Sequence, residues 1–243
     1  MDAGITAVII GVGHGEGLDA AGEYLPKMLL PVAGRPLLEH QLEWLRRAGI
    51  DSAVLCLDYK PEQVRGRFAD GSGLGMKLRY SVAPAPRGSA GMVKALGAAS
   101  LPDDILVLFA DIFPDTDCGR MLRFHRSHRG LATLALHELR PGVDTHGCPR
   151  EPVALGPAQR IVDFPRYPQA GGPSLALSPL WILRREIFHF VPDAQASDFV
   201  RDVFPAVVKA GEPLLGYHEP GVLADLGSPE RYDRFTRSLV KRR

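Results

Sequence analysis

The sequence predicts an α/β fold with a mainly parallel sheet, formed by a single domain over residues 1–243. Short apolar runs rich in β-branched residues alternate with helical patterns through the first half of the chain. This alternation is typical of strand–helix–strand units, whose strands run parallel. The chain has 243 residues, of which 45% are hydrophobic, so its size and composition suit one large α/β domain with a substantial core.

Residues 5–136 contain five predicted strands and four predicted helices. In the first helix, Leu38, Leu42 and Leu45 share one face at helical spacing. The second helix starts at Pro61, where the missing N–H of proline is harmless. The predicted strands cover 5–10, 53–57, 78–82, 105–109 and 131–136, and the predicted helices cover 37–48, a segment from Pro61, a segment from Gly88 and a segment containing 121–128.

The regular pattern breaks between residues 138 and 173. Seven prolines fall in this stretch and its apolar pieces are short, so we expect irregular structure that covers a pocket. Regularity returns with a strand over 175–183, a helix over 198–209 and a strand near 214–217. The last predicted helix runs from Ser228, a residue suited to capping it, to about Leu239.

Charge and cysteine usage narrow the function classes. The formal net charge is +1, from 29 basic and 28 acidic residues, so no broad field favours nucleic acid or an anionic membrane. Cys56, Cys118 and Cys148 are far apart in sequence, which suits a reducing compartment better than a disulfide framework. No run of about 18 apolar residues occurs, and no basic stretch precedes the first apolar run. We therefore expect a cytoplasmic protein that does not span a membrane.

A glycine-rich segment follows the first predicted strand. Residues 11–17 read Gly-Val-Gly-His-Gly-Glu-Gly, and Pro26-Lys27-Met28 comes one short loop later. Four glycines in seven residues let backbone N–H groups converge on an anion without Cβ atoms in the way. A nearby lysine adds a movable positive charge. The segment is therefore interpreted as a phosphate cradle.

Other glycine-rich loops fit this segment less well. The dinucleotide pattern Gly-x-Gly-x-x-Gly requires a glycine where Glu16 stands. A Walker A loop requires Gly-Lys-Ser/Thr, whereas Gly17 is followed by Leu18 and Asp19. A tight turn that uses glycine only for its geometry is the remaining alternative, although such a turn needs one or two glycines rather than four.

Two aspartates follow predicted strands. Asp111 comes just after the strand at 105–109, and Asp225 follows the short apolar run at 222–224. Ligands of open α/β sheets bind beyond the carboxyl ends of the strands, where two carboxylates can hold one Mg²⁺. Each aspartate could instead cap the element that follows it.

These motifs together resemble the sugar-1-phosphate nucleotidylyltransferases. In that family a glycine loop is followed by Pro-Lys and by a Pro-Val step. The matching positions are Gly13, Gly15 and Leu18, then Pro26-Lys27-Met28, Pro31-Val32 and Gly34-Arg35-Pro36-Leu37. The likeness spans almost the whole chain and includes Glu43-Trp44-Leu45, Ala48-Gly49-Ile50, Gly88-Ser89-Ala90-Gly91, Asp111, Phe124-His125, Asp198 through Asp202 to Pro205, and Asp225-Leu226-Gly227-Ser228-Pro229-Glu230.

The resemblance implies a Rossmann-like (GT-A-like) three-layer α/β/α domain. It also implies attack of a sugar-1-phosphate oxygen on the α-phosphorus of a nucleoside triphosphate, with release of pyrophosphate. Catalysis is then chiefly positioning and charge neutralisation, so no nucleophilic residue is required. The roles implied are metal binding for Asp111 and Asp225, phosphate contact for Lys27, and nucleotide binding for Gly11, Gly13, His14, Gly15, Gly88, Ser89 and Ala90.

The chain departs from the family at positions that would contact the triphosphate, the base and the sugar. The Thr-Arg step of the glycine loop is replaced by Glu16 and Gly17, so the loop arginine is missing. Three cations could compensate, and the hypothesis ranks Arg87 first, Arg166 on the sugar side second, and His14 third. The base-reading residue is replaced by Ala83, and the family's Asn-Ala-Gly step reads Leu-Ser-Pro at 177–179.

Three functions are compatible with these residues. The first is an active Mg²⁺-dependent nucleotidyltransferase that acts on a sugar-1-phosphate or a similar phosphorylated metabolite, as in nucleotide-sugar synthesis. The second is a non-catalytic relative that binds a nucleotide or nucleotide sugar and regulates or scaffolds an active partner. The third, a dinucleotide-dependent enzyme or another α/β binding module, is disfavoured because Glu16 breaks the dinucleotide pattern. The positions that changed are those that would identify the base and the sugar, and a homo-oligomer is neither predicted nor excluded.

Overall fold

A mixed β-sheet forms the centre of the molecule. The computed structural model describes residues 4–12, 24–82, 87–97, 100–139, 151–165, 174–193, 196–218 and 222–240. Its strands are β1 Ile5–Gly11, β2 Pro31–Val32, β3 Arg35–Pro36, β4 Ser52–Leu57, β5 Lys77–Val82, β6 Asp104–Phe109, β7 Ile112–Asp115, β8 Ala132–Leu139, β9 Pro152–Leu155, β10 Ile161–Asp163, β11 Ser174–Arg184, β12 Leu214–His218 and β13 Val222–Asp225. Its α-helices are α1 Leu37–Arg47, α2 Pro61–Phe68, α3 Gly88–Lys94, α4 Cys118–Arg126, α5 Phe204–Lys209 and α6 Pro229–Val240.

The main sheet is mostly parallel. Its central order is β5-β4-β1-β6-β11-β8-β12, and β9 and β10 extend it alongside the first part of β11. Strands β5, β4, β1 and β6 pair in parallel, and so do β8 and β12. Strand β11 is antiparallel to both β6 and β8, so β8 and β12 run in the same direction as β6. The predicted fold class is confirmed.

Helices cover both faces of the sheet. Strand β1 shows why, because Ala7 and Ile9 point into one apolar core while Val8 and Ile10 point into another. Side chains of α1, α2 and α4 fill the first core, and those of α3 and α5 fill the second. Strands buried on both faces are apolar along their whole length, which explains the continuous apolar runs in the sequence. The result is a three-layer α/β/α arrangement.

A third, smaller core lies beside these two. It contains Leu30, Val32, Leu37, Ala224, Leu226 and Phe235, and Phe235 comes from α6. The antiparallel pair β7 and β13 adjoins it, with Ala224 of this core in β13. This core therefore joins the segment after β1 to the end of the chain's last strand.

None of the helices in the described ranges is both long and apolar enough to span a membrane.

Three predicted elements need correction. The stretch over 138–173 contains the paired strands β9 and β10, because residues such as Val153 and Ile161 are buried in the second core despite the prolines. The helix predicted to contain 121–128 ends at Arg126. The helix predicted over 198–209 begins as a π-helical turn, Phe199–Val203, that Asp198 caps before α5 starts.

Candidate functional site

Lys27 stands on a short 3₁₀ turn, Lys27–Leu29. Met28 is buried in the first core and Leu30 in the third, so apolar contacts in two cores anchor the turn. The Lys27 ammonium Nζ donates to Asp111 Oδ2 at 2.8 Å. Both side chains are about four-fifths buried, with 20% and 17% of their surface exposed. The predicted phosphate lysine and the predicted metal ligand therefore lie in contact.

Asp111 occupies the turn between β6 and β7. The N–H of the preceding residue, Ala110, donates to Ile10 O in β1 at 2.9 Å. On its other side the turn is held by Gln41, a fully buried residue of α1. Gln41 Nε2 donates to Phe109 O at 2.9 Å and to Ile112 O at 2.7 Å, one carbonyl before and one after the aspartate. These bonds fix the backbone that presents the Asp111 carboxylate.

Asp225 is the last residue of β13 and pairs with Ile112 of β7. The next N–H, of Leu226, donates to Asp111 O at 2.8 Å. The β7–β13 ladder therefore brings together two aspartates that are far apart in sequence. Asp225 Oδ1 accepts from Gly227 N at 2.7 Å, and Asp225 Oδ2 accepts from Arg231 Nη1 at 2.6 Å.

Asp111 and Asp225 form what is called here the acid pair. A Cβ built on Gly227 would lie 2.9 Å from Asp111 Oδ2 and 2.9 Å from Asp225 Oδ1, so the two oxygens are at most twice that distance apart. Burial and the negative charge of Asp111 raise the pKa of Asp225 to about 6. Two partly desolvated carboxylates this close repel each other, and cations relieve the repulsion.

The acid pair suits a magnesium ion. Both donors are hard carboxylate oxygens, and Mg²⁺ is commonly held by one or two carboxylates with its other positions taken by water and phosphate oxygens. Among the described residues, no group of three or more His, Cys, Asp or Glu side chains could hold a metal ion. The pair therefore fits an ion that is shared with a phosphate ligand better than one held in a closed protein cage.

A cleft of about 210 Å³ opens at the acid pair, beyond the carboxyl end of β6. One wall is the part of β11 where its pairing with β8 shifts, between Leu177 and Trp181. Pro179 falls within this irregular stretch, where a proline without an N–H is tolerated. The lining residues are Phe109, Asp111, Ile112, Glu151, Leu177, Ser178, Pro179, Trp181, Val200 and Asp225.

Gly11, at the end of β1, is required by close packing. A Cβ at this position would lie 2.5 Å from Met28 Cε and 3.4 Å from Ala110 Cβ. The turn that carries Lys27 and the turn that carries Asp111 can therefore approach each other only because residue 11 has no side chain. Gly13, His14 and Gly15, which continue the predicted cradle, lie outside the described residues.

The predicted nucleoside contact at the start of α3 is engaged by a neighbouring segment. Ser89 Oγ donates to Asp198 Oδ2 at 2.7 Å and accepts from Phe199 N at 3.0 Å. Ala90 N donates to Ser197 O at 2.9 Å. Gly88 has a φ of +67°, and a Cβ there would lie 2.4 Å from Ser197 O. These residues tie α3 to the segment before α5, and their contact with a nucleoside stays a prediction.

Of the two predicted compensating arginines, the structure describes only Arg87, which makes no hydrogen bond or ion pair with Asp111 or Asp225. Arg87 is exposed, and its side chain makes no hydrogen bond or ion pair with any described residue. Its backbone carbonyl accepts from Ser197 N at 2.8 Å. Arg166 lies outside the described residues.

A match to a known protein family classifies the chain. Residues 6–241 match the nucleotidyl transferase family, a span that covers nearly the whole chain and includes Lys27, Asp111 and Asp225. The chain belongs to the nucleotidyl transferase family.

Named relatives of this nucleotidyl transferase act on sugar phosphates. The chain is 29% identical over 239 residues to the mannose-1-phosphate guanylyltransferase of Mycobacterium tuberculosis, covering 98% of this chain and 65% of the relative. It is 24% identical over 253 residues to the UTP–glucose-1-phosphate uridylyltransferase of Synechocystis, covering 97% of this chain and 63% of the relative. The chain thus spans just under two thirds of the length of these relatives. The sequence-level resemblance is confirmed.

Solved structures show the same fold. The structure of a UDP-glucose pyrophosphorylase complexed with UDP-glucose superposes with a TM-score of 0.78 at 16% identity, covering 100% of both chains. At that identity the likeness concerns the fold alone.

Sequence reasoning missed two residues of this candidate site, Gln41 and Arg231. Gln41 carried a readable signal, because it falls between Leu38 and Leu45 on the apolar face of α1, where a polar side chain needs a partner. Arg231 carried no such signal. It lies in the first turn of an amphipathic helix, where an arginine is usually exposed to solvent.

Proposed function

We propose that the chain transfers a nucleotidyl group from a nucleoside triphosphate to a sugar-1-phosphate and releases pyrophosphate, and that it requires Mg²⁺. The observation that carries this proposal is the contact of Lys27 with one member of a buried acid pair at the carboxyl edge of a mainly parallel sheet. A family match over residues 6–241 and relatives that act on mannose-1-phosphate and glucose-1-phosphate support the same reaction.

The reaction is a single displacement at phosphorus. An oxygen of the sugar-1-phosphate forms a bond to the α-phosphorus, and the bond from the α-phosphorus to the α,β-bridging oxygen breaks. The bridging oxygen leaves with the electron pair as part of pyrophosphate. Two polyanions must meet, so the barrier is mainly electrostatic.

Several residues of the proposed site would offset the repulsion between these two polyanions. Asp111 and Asp225 would hold Mg²⁺, which supplies positive charge at the α-phosphate when it is bound. Lys27 is mounted on an anchored turn, so its ammonium group can move from Asp111 Oδ2 to a phosphate oxygen without reorganising the fold. The glycine segment at 11–15 and the start of α3 are proposed to bind the nucleotide. Arg87 is proposed as a cation for the triphosphate and Arg166 as a contact on the sugar side.

Pyrophosphate release tests the proposal. The protein is incubated with Mg²⁺ and with pairs drawn from a panel of nucleoside triphosphates and sugar-1-phosphates. With the active pair, Asp111→Asn and Lys27→Ala should each lower the rate at least about 100-fold, the scale of losing one electrostatic contact in a transition state. Near-normal turnover in either variant would remove that residue from the mechanism.

The chain offers a matched control for these variants. Lys77 and Asp51 form an exposed ion pair at 3.2 Å on the surface of the sheet's edge. Lys77→Ala and Asp51→Asn remove the same chemical groups from an ion pair outside the proposed site, so the rate should stay near that of the wild type.

The replacement of the family's Thr-Arg step by Glu16 and Gly17 favours a second candidate, a non-catalytic relative that binds nucleotides. The two candidates are distinguished by measuring pyrophosphate release and nucleotide binding on the same preparation. Nucleotide binding without release from any pair would support the second candidate. Absence of both would refute the two together.

A further inference from the structure

We propose that Arg231 is a phosphate-binding residue of this site and supplies the positive charge that position 17 lacks. This inference rests on the proposed function. It begins from the guanidinium group, whose Nη1 donates to Asp225 Oδ2 at 2.6 Å. The other terminal nitrogen, Nη2, lies 3.6 Å from the position of a Cβ built on Gly227, and that position is itself 2.9 Å from an oxygen of each aspartate.

Arg231 is held in place before any ligand binds. Its Nε donates to Ser228 Oγ at 3.2 Å, and its backbone N–H approaches the same hydroxyl at 3.4 Å. The side chain is 30% exposed, so it is anchored to its neighbours and still reaches the surface. A pre-positioned arginine loses less side-chain entropy on binding a phosphate than a flexible one does.

The phosphate-binding role proposed for the Arg231 guanidinium group follows from the charges around the acid pair. Lys27 pairs with Asp111 and Arg231 pairs with Asp225, so two cations neutralise two acids in the structure. A divalent ion bound between the acids would neutralise the same two charges. The N–H groups with which Lys27 and Arg231 contact the two acids could then donate to a polyphosphate next to the ion. A bound metal ion would in this way favour contact of both side chains with the phosphate.

This role predicts opposite effects on metal and on nucleotide. Because Arg231 competes with the metal for Asp225, Arg231→Ala should bind Mn²⁺ alone as tightly as the wild type or more tightly. Because the same variant lacks a phosphate contact, its affinity for the Mg²⁺ complex of the nucleoside triphosphate should fall about 10- to 100-fold, the usual range for a hydrogen bond to a charged group. Arg231→Lys should recover part of that loss.

A merely structural role would give a different pattern. If Arg231 only oriented Asp225, its removal would weaken Mn²⁺ binding and nucleotide binding together. Titration calorimetry with Mn²⁺ alone, and then with the triphosphate in excess Mg²⁺, separates the two cases without measuring turnover. Weaker Mn²⁺ binding, or unchanged nucleotide affinity, in Arg231→Ala would overturn the inference.

Controls keep this result separate from the proposed function. Arg237→Ala removes a more exposed arginine of the same helix, 77% exposed, and should change neither affinity. Thermal melting of each variant establishes that it is folded, and Arg231→Gln serves if the alanine variant is not. If Asp111→Asn and Lys27→Ala abolish activity while Arg231→Ala binds nucleotide normally, the inference fails and the proposed function stands. If the wild type binds no nucleotide, the proposed function fails first.

Discussion

Gln41 should control both stability and the position of Asp111. Its side chain is fully buried and its amide nitrogen donates to Phe109 O, two residues before the aspartate, and to Ile112 O, one residue after it. Gln41→Leu keeps a side chain of similar size on α1 and removes both donors. Two buried carbonyls then lose a hydrogen-bond partner.

The expected change in the free energy of unfolding is the cost of the two lost hydrogen bonds minus the gain from removing an unsatisfied acceptor. Each carbonyl left without its donor costs about 1–3 kcal/mol. Part of this is offset because Gln41 Oε1 is itself buried without a partner among the described residues, and leucine removes that acceptor. We expect a net loss of about 2–3 kcal/mol, which lowers the melting temperature by roughly 4–12 °C for a chain of this size.

The same substitution should also weaken the site. Freed from its two anchors, the turn can shift Asp111 relative to Asp225, and small displacements of catalytic groups cost large factors in rate. We expect Mn²⁺ affinity and the rate of pyrophosphate release to fall at least about tenfold, since misplacement acts on the contacts of the charged groups. Calorimetry and thermal melting on the same preparation measure both effects.

A matched variant gives the comparison. Gln63 is a half-buried glutamine of α2, and Gln63→Leu makes the same chemical change on a different helix. If Gln41→Leu melts at the wild-type temperature, or loses no more stability than Gln63→Leu, the two carbonyl bonds do not have the role assigned to them.

Three further substitutions have expected outcomes. In Gly227→Ala the new Cβ would lie 2.9 Å from both site carboxylates, so Mn²⁺ affinity should fall at least about tenfold, and unchanged calorimetric binding would contradict this geometry. Burial lowers the pKa of His137 to about 4, so the unfolded chain binds a proton that the folded chain rejects as pH falls from about 6.5 to about 4. Between pH 7 and pH 5, urea unfolding should therefore show the wild type losing about 2 kcal/mol more stability than His137→Gln, and equal losses would exclude this linkage. Gly88→Ala should lower the free energy of unfolding by about 2 kcal/mol or more, because φ at this residue is +67° and the new Cβ would lie 2.4 Å from Ser197 O. An unaltered melting temperature would show that the backbone relaxes around the new methyl group.

The central sheet could be predicted because its signal is local. Strand β1 is apolar at nearly every position since it is buried on both faces, and α1 has the regular apolar stripe of a helix covering one face. Asp111 could be proposed for the same reason, because the end of an apolar strand can be located from sequence, whereas Lys27 was proposed from its place after the glycine segment and in the Pro-Lys motif of the resemblance. Their contact at 2.8 Å follows from the packing of those turns.

The remaining parts of the site depend on contacts that sequence patterns do not encode. Strand β7 includes Pro114 and is only four residues long, and its partner β13 lies in a distant part of the chain. The β9–β10 hairpin was predicted as irregular because its prolines hide a short strand pattern. Arg231 acquires a role only when α6 docks beside Asp225. Tertiary context decides each of these features, and single-sequence periodicity does not report it.

The third core explains how these distant pieces form one site. Leu30 follows the turn of Lys27, Ala224 and Leu226 flank Asp225, and Phe235 belongs to the helix that carries Arg231, and all four pack in the same small cluster. Tyr232 Oη adds a hydrogen bond from α6 to Pro31 O. The β7–β13 ladder brings the two acids together, and this cluster packs the turn of Lys27 and the helix of Arg231 beside them. The spacing of Lys27, Asp225 and Arg231 is therefore set by a few apolar contacts next to the sheet, and loosening them should affect ligand binding before it affects global unfolding.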